Sequence, residues 1–525
     1  MSPEQNLSLA SEKNQPEEPA IFQPITLPCG QLVQNRLVKV AMYEHLASFL
    51  GGPPNEHHLR LYSEWAKHDW GIVVTGNIQI FEDHLTLGRD IVLPRSHLSE
   101  EDLQPFRNLA DSIHGLRSGV GTSTPVPNKT LAIMQLNHPG RQSSNFIGGR
   151  PPFRAPLAPS SIPLGSGSSS SFASALVHSV MFQIPKEMAE SDIDDVVEGF
   201  VGGAILAQKA GFDGIQLHAA HGLRTIFSQQ LEPLDLLSQF LSNKSNVRTD
   251  QYSVDNALDM FHRIVKQIRQ STEDIFVISI KLNASDYIHT ESSNAESLSE
   301  AEKLALKHLI TIADWGLVDI IEISGGDYEK PDFMTSQNRS KPPRQAFFSH
   351  FSHQSLKMLH SREGPVPLIL LTGGLRTPGL LCSALACRHA DLLGIGRGSV
   401  VCPDLPSVLR ERLQDSRRWD DIPFQPEPYL NMPWIIAYPP FSWIWNAIGK
   451  VNLIGAGVTM AWYIVAMRQL ADSVISRERF KPNYHLGGLQ SIFCMWAWRT
   501  DGTKLGFQLI VSCFLVLLLA VYLYR

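Results

Sequence analysis

Cysteine is scarce in this sequence, and the cysteines present form no recognisable pattern. Six of them are scattered along 525 residues, without the spacing of a disulfide framework or of a zinc site. This scarcity fits a protein that folds in a reducing compartment. A dense block of lysine and arginine is also missing, and the formal net charge is −6. We therefore expect no nucleic-acid-binding surface.

Long apolar segments are missing from the start of the chain but not from its end. Residues 1–20 are polar and rich in Glu, Gln and Pro, so we expect a disordered tail without the apolar core of a signal peptide. Residues 506–524 instead form a nearly continuous apolar run without a charge. Because ~20 apolar residues suffice to span a bilayer, this run predicts a transmembrane helix.

Between these ends, apolar strand-like runs alternate with amphipathic helical segments. Eight strand–helix units fit a closed (β/α)₈ TIM barrel, an α/β fold, better than an open doubly wound sheet. We place this barrel at residues 21–422. The predicted strands are residues 36–42, 71–77, 131–136, 215–218, 276–282, 318–323, 367–371 and 391–395.

The composition changes beyond the predicted barrel. Residues 423–505 form an apolar or amphipathic extension, in which residues 434–467 are rich in Trp, Ile, Val, Pro and Ala and contain Lys450 as their only charge. This segment suits either a helix pair on a membrane surface, which we favour, or an apolar cover packed on the barrel.

Two histidines close the fourth predicted strand. His218 and His221 are followed at once by Gly222, and the C-terminal ends of barrel strands carry the active site. Two neutral imidazoles there can donate hydrogen bonds to one carbonyl oxygen and polarise it. A structural pair or half of a metal site are the alternatives. Glu232 and Asp235 lie near in sequence, but no further cluster has metal-ligand spacing, so we predict no metal.

Glycines follow the last two predicted strands. Gly373 and Gly374 end the seventh strand, and Gly396 with Arg397 ends the eighth. These strand ends are where such barrels hold a phosphate group, because exposed backbone N–H groups favour an anion. A Gly- and Ser-rich loop at residues 164–171 follows the third strand and predicts either a lid or a surface insertion.

Taken in order over about residues 22–406, these motifs resemble those of the old yellow enzyme family of flavin-dependent oxidoreductases. The motifs that carry the resemblance are residues 35–42 (NRLVKVAM), 135–142 (QLNHPGRQ), 218–222 (HAAHG), 248–250 (RTD), 324–326 (SGG), 372–374 (TGG) and 394–397 (GIGR).

The resemblance implies a bound FMN, with NAD(P)H as the hydride donor and a small enone-type substrate as the acceptor. In that family NAD(P)H reduces FMN, which passes the hydride to the β-carbon of an activated alkene. The implied flavin contacts are the backbones of Ala41 and Met42, the pyrimidine-edge partner Gln135, and Lys281 as a cation beside N1 and O2.

The remaining implied roles concern the phosphate and the substrate. Gly373, Gly374, Gly396 and Arg397 would hold the FMN phosphate. His218 and His221 would hold the substrate carbonyl over the flavin ring. Together with the predicted anchor, this gives a membrane-bound enzyme whose barrel faces the cytosol.

Two departures from the family pattern stand at the predicted site. Related enzymes place a proton-donating tyrosine directly after His-Gly, where this chain has Leu223, and residues 223–235 look inserted. Tyr43 stands where the family has Thr or Cys, and its phenol can still hydrogen-bond the flavin O4. We therefore expect slow protonation, from water or from Tyr43. An isomerase or a catalytically impaired FMN-binding protein are the alternatives, and the insertion is either a real loop or a gene-model error.

Overall fold

Eight parallel strands close into a barrel, in the order in which they occur along the chain. The computed structural model describes residues 19–95, 99–116, 129–164, 181–220, 222–224, 231–233, 235–283, 300–324, 344–362, 364–424, 430, 457–476 and 480–498. The first strand pairs with both the second and the eighth, which closes the ring. The strands are β1 (Leu37–Lys39), β2 (Ile72–Gln79), β3 (Leu131–Asn137), β4 (Gly214–Ala219), β5 (Val277–Asn283), β6 (Ile320–Ser324), β7 (Leu368–Thr372) and β8 (Leu392–Ile395).

A helix follows each barrel strand, so the predicted α/β TIM barrel is confirmed. Apolar residues recur along these helices at helical spacing, as in Ala257–Ser271, whose Phe261, Ile264 and Ile268 are buried against the sheet. The helices are α1 (Glu56–Ala66), α2 (Glu100–Ile113), α3 (Glu190–Lys209), α4 (Ala257–Ser271), α5 (Glu300–Asp314), α6 (Arg344–His360), α7 (Pro378–Ala386) and α8 (Leu405–Arg412).

The barrel interior changes from apolar to polar along its axis. Its lower layers are filled by a separate apolar cluster that includes Val38, Val74 and Ile133. The short hairpin Ile25–Thr26 and Leu32–Val33 adds Leu27 and Val33 to that cluster and so plugs the N-terminal end. Buried polar side chains replace aliphatic ones toward the C-terminal ends of the strands, namely Gln135, Gln216, Ser279, Lys281 and Glu322. A barrel interior that turns polar at this end is suited to a polar ligand.

Two further helices pack on the outside of the barrel beyond α8. They are α9 (Val458–Ser476) and α10 (Gly488–Ala497), and α9 contacts α1. The residues of α9 from Ala461 to Met467 are buried, and all but Val465 belong to the main hydrophobic core. The membrane-surface location that we favoured for this segment is therefore wrong for α9, which is an apolar cover packed on the barrel.

Several sequence predictions lie outside the described residues. These are most of the tail at residues 1–20, the Gly- and Ser-rich loop beyond Leu164, and the apolar run at residues 506–524. Among the helices that the structure does describe, none combines the length and the hydropathy needed to cross a bilayer. The transmembrane helix at residues 506–524 stays a prediction.

Candidate functional site

His218 lies near the C-terminal end of β4, with both ring nitrogens close to polar neighbours. Its Nδ1 is 3.1 Å from the side-chain oxygen of Asn137, the last residue of β3. Its Nε2 is 3.3 Å from a carboxylate oxygen of Asp235, and both residues are buried. His221, the second histidine of the predicted pair, lies outside the described residues.

A buried chain of polar side chains continues behind His218. The Asn137 amide donates to the side-chain oxygen of Gln79 (3.1 Å), and the Gln79 amide donates to a carboxyl oxygen of Asp90 (2.9 Å). Because Asn137 uses its NH₂ group toward Gln79, its oxygen faces His218, and an amide oxygen can only accept. The ring hydrogen of His218 must therefore be on Nδ1 for this contact to be a hydrogen bond.

The same chain ends at Tyr43, in the loop that follows β1. The buried hydroxyl of Tyr43 lies beside the carboxyl group of Asp90. Burial and the neighbouring negative charge raise the pKa of the Tyr43 phenol well above its usual range. Burial likewise raises the pKa of Asp90. A phenol that holds its proton this firmly is a weak acid near neutral pH, which argues against Tyr43 as an efficient proton source.

Lys281 and Gln135, two predicted flavin ligands, belong to one buried network inside the barrel. The Lys281 ammonium group is 3.0 Å from a Glu322 carboxylate oxygen. Gln216 donates to the other Glu322 oxygen (2.9 Å) and accepts from the side-chain amide of Gln135 (2.7 Å). Glu322 therefore balances the buried charge of Lys281, a pairing that the sequence analysis missed.

A second buried lysine stands behind the loop that carries Ala41 and Met42. Lys39 donates to the backbone oxygen of Val74 (3.0 Å), and its ammonium group lies 4.2 Å from the ring centre of Trp65. Burial lowers the pKa of Lys39 to about 7, against the opposing effect of the nearby Glu44 carboxylate. In the sequence, a single lysine within an apolar strand indicated this buried charge, and the sequence analysis did not use it.

The glycines predicted to hold phosphate lie at the ends of neighbouring strands. Gly373 and Gly374 have φ angles of 130° and 71°, a backbone region that favours glycine. Gly396 and Arg397 follow β8, which lies between β7 and β1 in the barrel. A Cβ on Gly396 would meet only Val40, at 3.6 Å, whereas inside β8 a Cβ on Gly394 would lie 2.1 Å from the Thr372 hydroxyl oxygen.

The donor groups at these strand ends are chemically compatible with the phosphate and ring of FMN. The glycine backbone N–H groups and the Arg397 guanidinium are donors that match a phosphate dianion. Ala41 and Met42 follow the adjacent strand β1 and are half-buried. The polar atoms of Gln135 and Lys281 lie deeper in the same barrel end. Within the described part of the chain, no three His, Cys, Asp or Glu side chains cluster as a metal site would.

Comparisons with known proteins assign the family. The family model described as NADH:flavin oxidoreductase / NADH oxidase matches residues 20–416. The chain belongs to this family. It is thus an NAD(P)H-dependent flavin oxidoreductase of the old yellow enzyme group, and the family implies FMN as the flavin.

Individual relatives agree with this assignment. The chain is 34% identical over 395 residues to the NADH-dependent flavin oxidoreductase iliE of Neonectria sp. (strain DH2), covering 73% of this chain and only 46% of that protein. It is 31% identical over 462 residues to iccE of Talaromyces variabilis, also described as an NADH-dependent flavin oxidoreductase, covering 86% and 97% of the two chains.

Solved structures agree on the fold. Morphinone reductase superposes with a TM-score of 0.54 at 18% identity, covering 76% of this chain and 91% of that chain. An old yellow enzyme homologue from Zymomonas mobilis gives 0.53 at 18% identity, covering 78% and 100%.

Proposed function

We propose that the protein reduces the activated C=C bond of an α,β-unsaturated carbonyl compound, with NADH as the hydride donor. The observation that carries this proposal is the position of His218 at the C-terminal end of β4, held through Asn137 and facing Asp235. Relatives described as NADH-dependent flavin oxidoreductases support NADH as the donor.

FMN bound at the strand ends would carry the hydride between NADH and the acceptor. The residues of the protein hold and orient FMN and the substrate. Gly373, Gly374, Gly396 and Arg397 bind the phosphate, and Ala41, Met42, Tyr43, Gln135 and Lys281 line the ring. His218, together with His221, binds the substrate carbonyl oxygen. Hydrogen bonds to that oxygen favour hydride addition at the β-carbon, because negative charge develops on the oxygen.

Two half-reactions of the purified, FMN-loaded full chain test this proposal. NADH should bleach the flavin absorbance under anaerobic conditions, and 2-cyclohexenone should restore it. Cyclohexanone, which has no C=C bond, should leave the flavin reduced. Bleaching without recovery for any enone would contradict the proposal and support an impaired FMN-binding protein.

Replacement of His218 isolates its contribution. His218→Ala should slow reoxidation by 2-cyclohexenone about 10²–10³-fold, the usual loss when one oxyanion donor is removed. Reduction by NADH should change much less. His262→Gln is a matched control, because His262 lies in α4, outside the barrel, where its imidazole stacks on Trp315. An equal loss in both variants would contradict the role of His218.

The isomerase reading makes a different prediction for the same preparation. An isomerase returns the hydride, so the double bond of the product moves and NADH is not consumed in proportion to product. A proton donor at the site favours net reduction over isomerisation, and His218 paired with Asp235 is the candidate for that donor. The two reactions are separated by identifying the product and measuring the amount of NADH consumed per product molecule formed.

We also propose that residues 506–524 anchor the protein in a membrane with the barrel on the cytosolic side. The support is the charge-free apolar run, with Arg499 and Lys504 on its barrel side. An epitope fused to the N-terminus should be digested by protease in intact microsomes. Protection of that epitope would contradict the orientation, and recovery of the protein in the soluble fraction would contradict the anchor.

A further inference from the structure

Asp235 is a buried carboxylate that the sequence analysis considered only as a metal ligand. It is 3% exposed, and one of its oxygens lies 3.3 Å from His218 Nε2. Its backbone is fixed by the short helix Leu236–Phe240, because its carbonyl oxygen accepts from the Gln239 N–H (2.9 Å) and the Ser238 hydroxyl (2.8 Å). The backbone that carries Asp235 is therefore fixed near the imidazole, and its carboxylate lies within ion-pair distance of Nε2.

A hairpin brings Asp235 to this position. Strands Gly222–Arg224 and Leu231–Pro233 pair antiparallel, and Gly222 lies opposite Pro233. Directly opposed residues of such a pair have Cα atoms about 4.5–5.5 Å apart. The inserted segment therefore leaves the strand end and returns to it, so that Asp235 follows the hairpin at the place where the chain left β4.

The hydrogen-bond pattern determines which ring nitrogen of His218 can hold a second proton. Asn137 presents its oxygen to Nδ1, so Nδ1 carries a hydrogen. A neutral ring would then present Nε2 only as an acceptor, and it could not donate to a carbonyl oxygen. Nε2 carries a hydrogen only in the imidazolium form. A buried imidazolium needs a counter-charge, and Asp235 supplies it.

We propose that Asp235 keeps His218 protonated on Nε2, and that this proton completes the reduction by moving to the carbonyl oxygen of the substrate. The inference rests on the proposed enone reduction. Asp235 is a positioning residue that acts through His218. The pair takes over the proton-donating role of the tyrosine that related enzymes have at the position of Leu223.

The step balances without a further reactant. Hydride addition at the β-carbon moves the C=C electron pair toward the carbonyl oxygen. The Nε2–H bond of His218 then breaks and an O–H bond forms, which gives the enol. A solvent proton then restores the Nε2–H bond of His218, so each turnover consumes one NADH and one proton. The enol leaves the site and becomes the saturated ketone in solution, where water supplies the α-hydrogen and takes up the hydroxyl proton.

This route predicts both a rate and a stereochemical result with 2-methylcyclohex-2-enone. The full chain should give nearly racemic 2-methylcyclohexanone at early times, because the α-carbon is protonated in water. Asp235→Asn should slow flavin reoxidation by this enone about 10²–10⁴-fold, the range for loss of acid catalysis. Reduction by NADH and FMN content should remain at wild-type values. Asp235→Glu should recover part of the reoxidation rate.

Asp319→Asn is the matched control for loss of a buried carboxylate. Asp319 is also buried, but it pairs with Arg269 at the opposite end of the barrel. That variant should lose stability while its reoxidation rate stays at the wild-type value. Equal reoxidation rates in wild type and Asp235→Asn would overturn the inference, as would a single α-configuration in the wild-type product. A wild-type protein that no enone reoxidises would instead overturn the proposed function.

Discussion

Replacement of Lys281 by methionine separates the structural role of this lysine from its proposed role at the flavin. Glu322 is fully buried, and its nearest cation is the Lys281 ammonium group at 3.0 Å. Removing one partner of a buried ion pair leaves an uncompensated charge and costs about 3–5 kcal/mol. We expect a loss of this size in the free energy of unfolding, measured by urea denaturation of the apoprotein at constant pH.

The double variant Lys281→Met/Glu322→Gln removes that uncompensated charge. The amide oxygen introduced by Glu322→Gln can still accept the bond from Gln216, so most of the lost stability should return, since neutral replacements of buried pairs are often nearly neutral in energy. Both variants should nevertheless reduce FMN more slowly with NADH than the wild type, because both lack the cation. A double variant as unstable as the single one would refute the buried-charge argument, and unchanged FMN reduction would refute the flavin role.

Three further outcomes follow from other contacts. Arg468→Met should lower the free energy of unfolding by about 1–3 kcal/mol for each acceptor left unsatisfied, because the guanidinium donates to the buried carbonyls of Cys494, Met495 and His45. Arg468→Lys should recover little of this loss, since lysine lacks the planar fork of donors. Wild-type stability in both variants would contradict this. Between about pH 7 and 10, Lys39 is deprotonated in the folded protein but protonated in the unfolded chain, so the stability of the wild type should rise with pH. Lys39→Met should flatten this pH dependence, and an unchanged slope would count against the lowered pKa of Lys39. Deletion of residues 223–234 should preserve folding and FMN content, because the two ends of the hairpin lie side by side and can be rejoined. Loss of flavin from this variant would show that the hairpin is needed for the structure.

Local sequence patterns predicted the barrel because each strand and helix carries its own signal. Apolar runs such as residues 367–371 and helical spacing such as that of α4 need no knowledge of the partner element. The glycines after β7 and β8 were found for the same reason, since a turn leaves a local mark in the sequence. Strand bounds differed by a few residues, as for β6, predicted at residues 318–323 and observed at Ile320–Ser324.

The contacts within the site could not be predicted in this way. Glu322 was noted only as part of a strand, although its register opposite Lys281 is what places the two charges together. Asp235 reaches His218 through a hairpin, whose pairing brings together residues that are distant in sequence. Residues 423–505 suggested a membrane interface by their composition, yet Arg468 within them is buried and bonded to His45 in the loop that follows β1. Each pairing depends on tertiary packing.

The packing of α9 and α10 limits where the chain can be shortened. Arg468 in α9 holds the backbone of His45, which has a φ of 56°, and the His45 ring contacts both Tyr43 and Trp496. A truncated protein that ends with the family-matched segment at residue 416 would lose this support and expose the outer face of α1. Such a fragment should misplace the Tyr43 loop beside the proposed FMN site, so studies of catalysis need the chain to extend at least through residue 498.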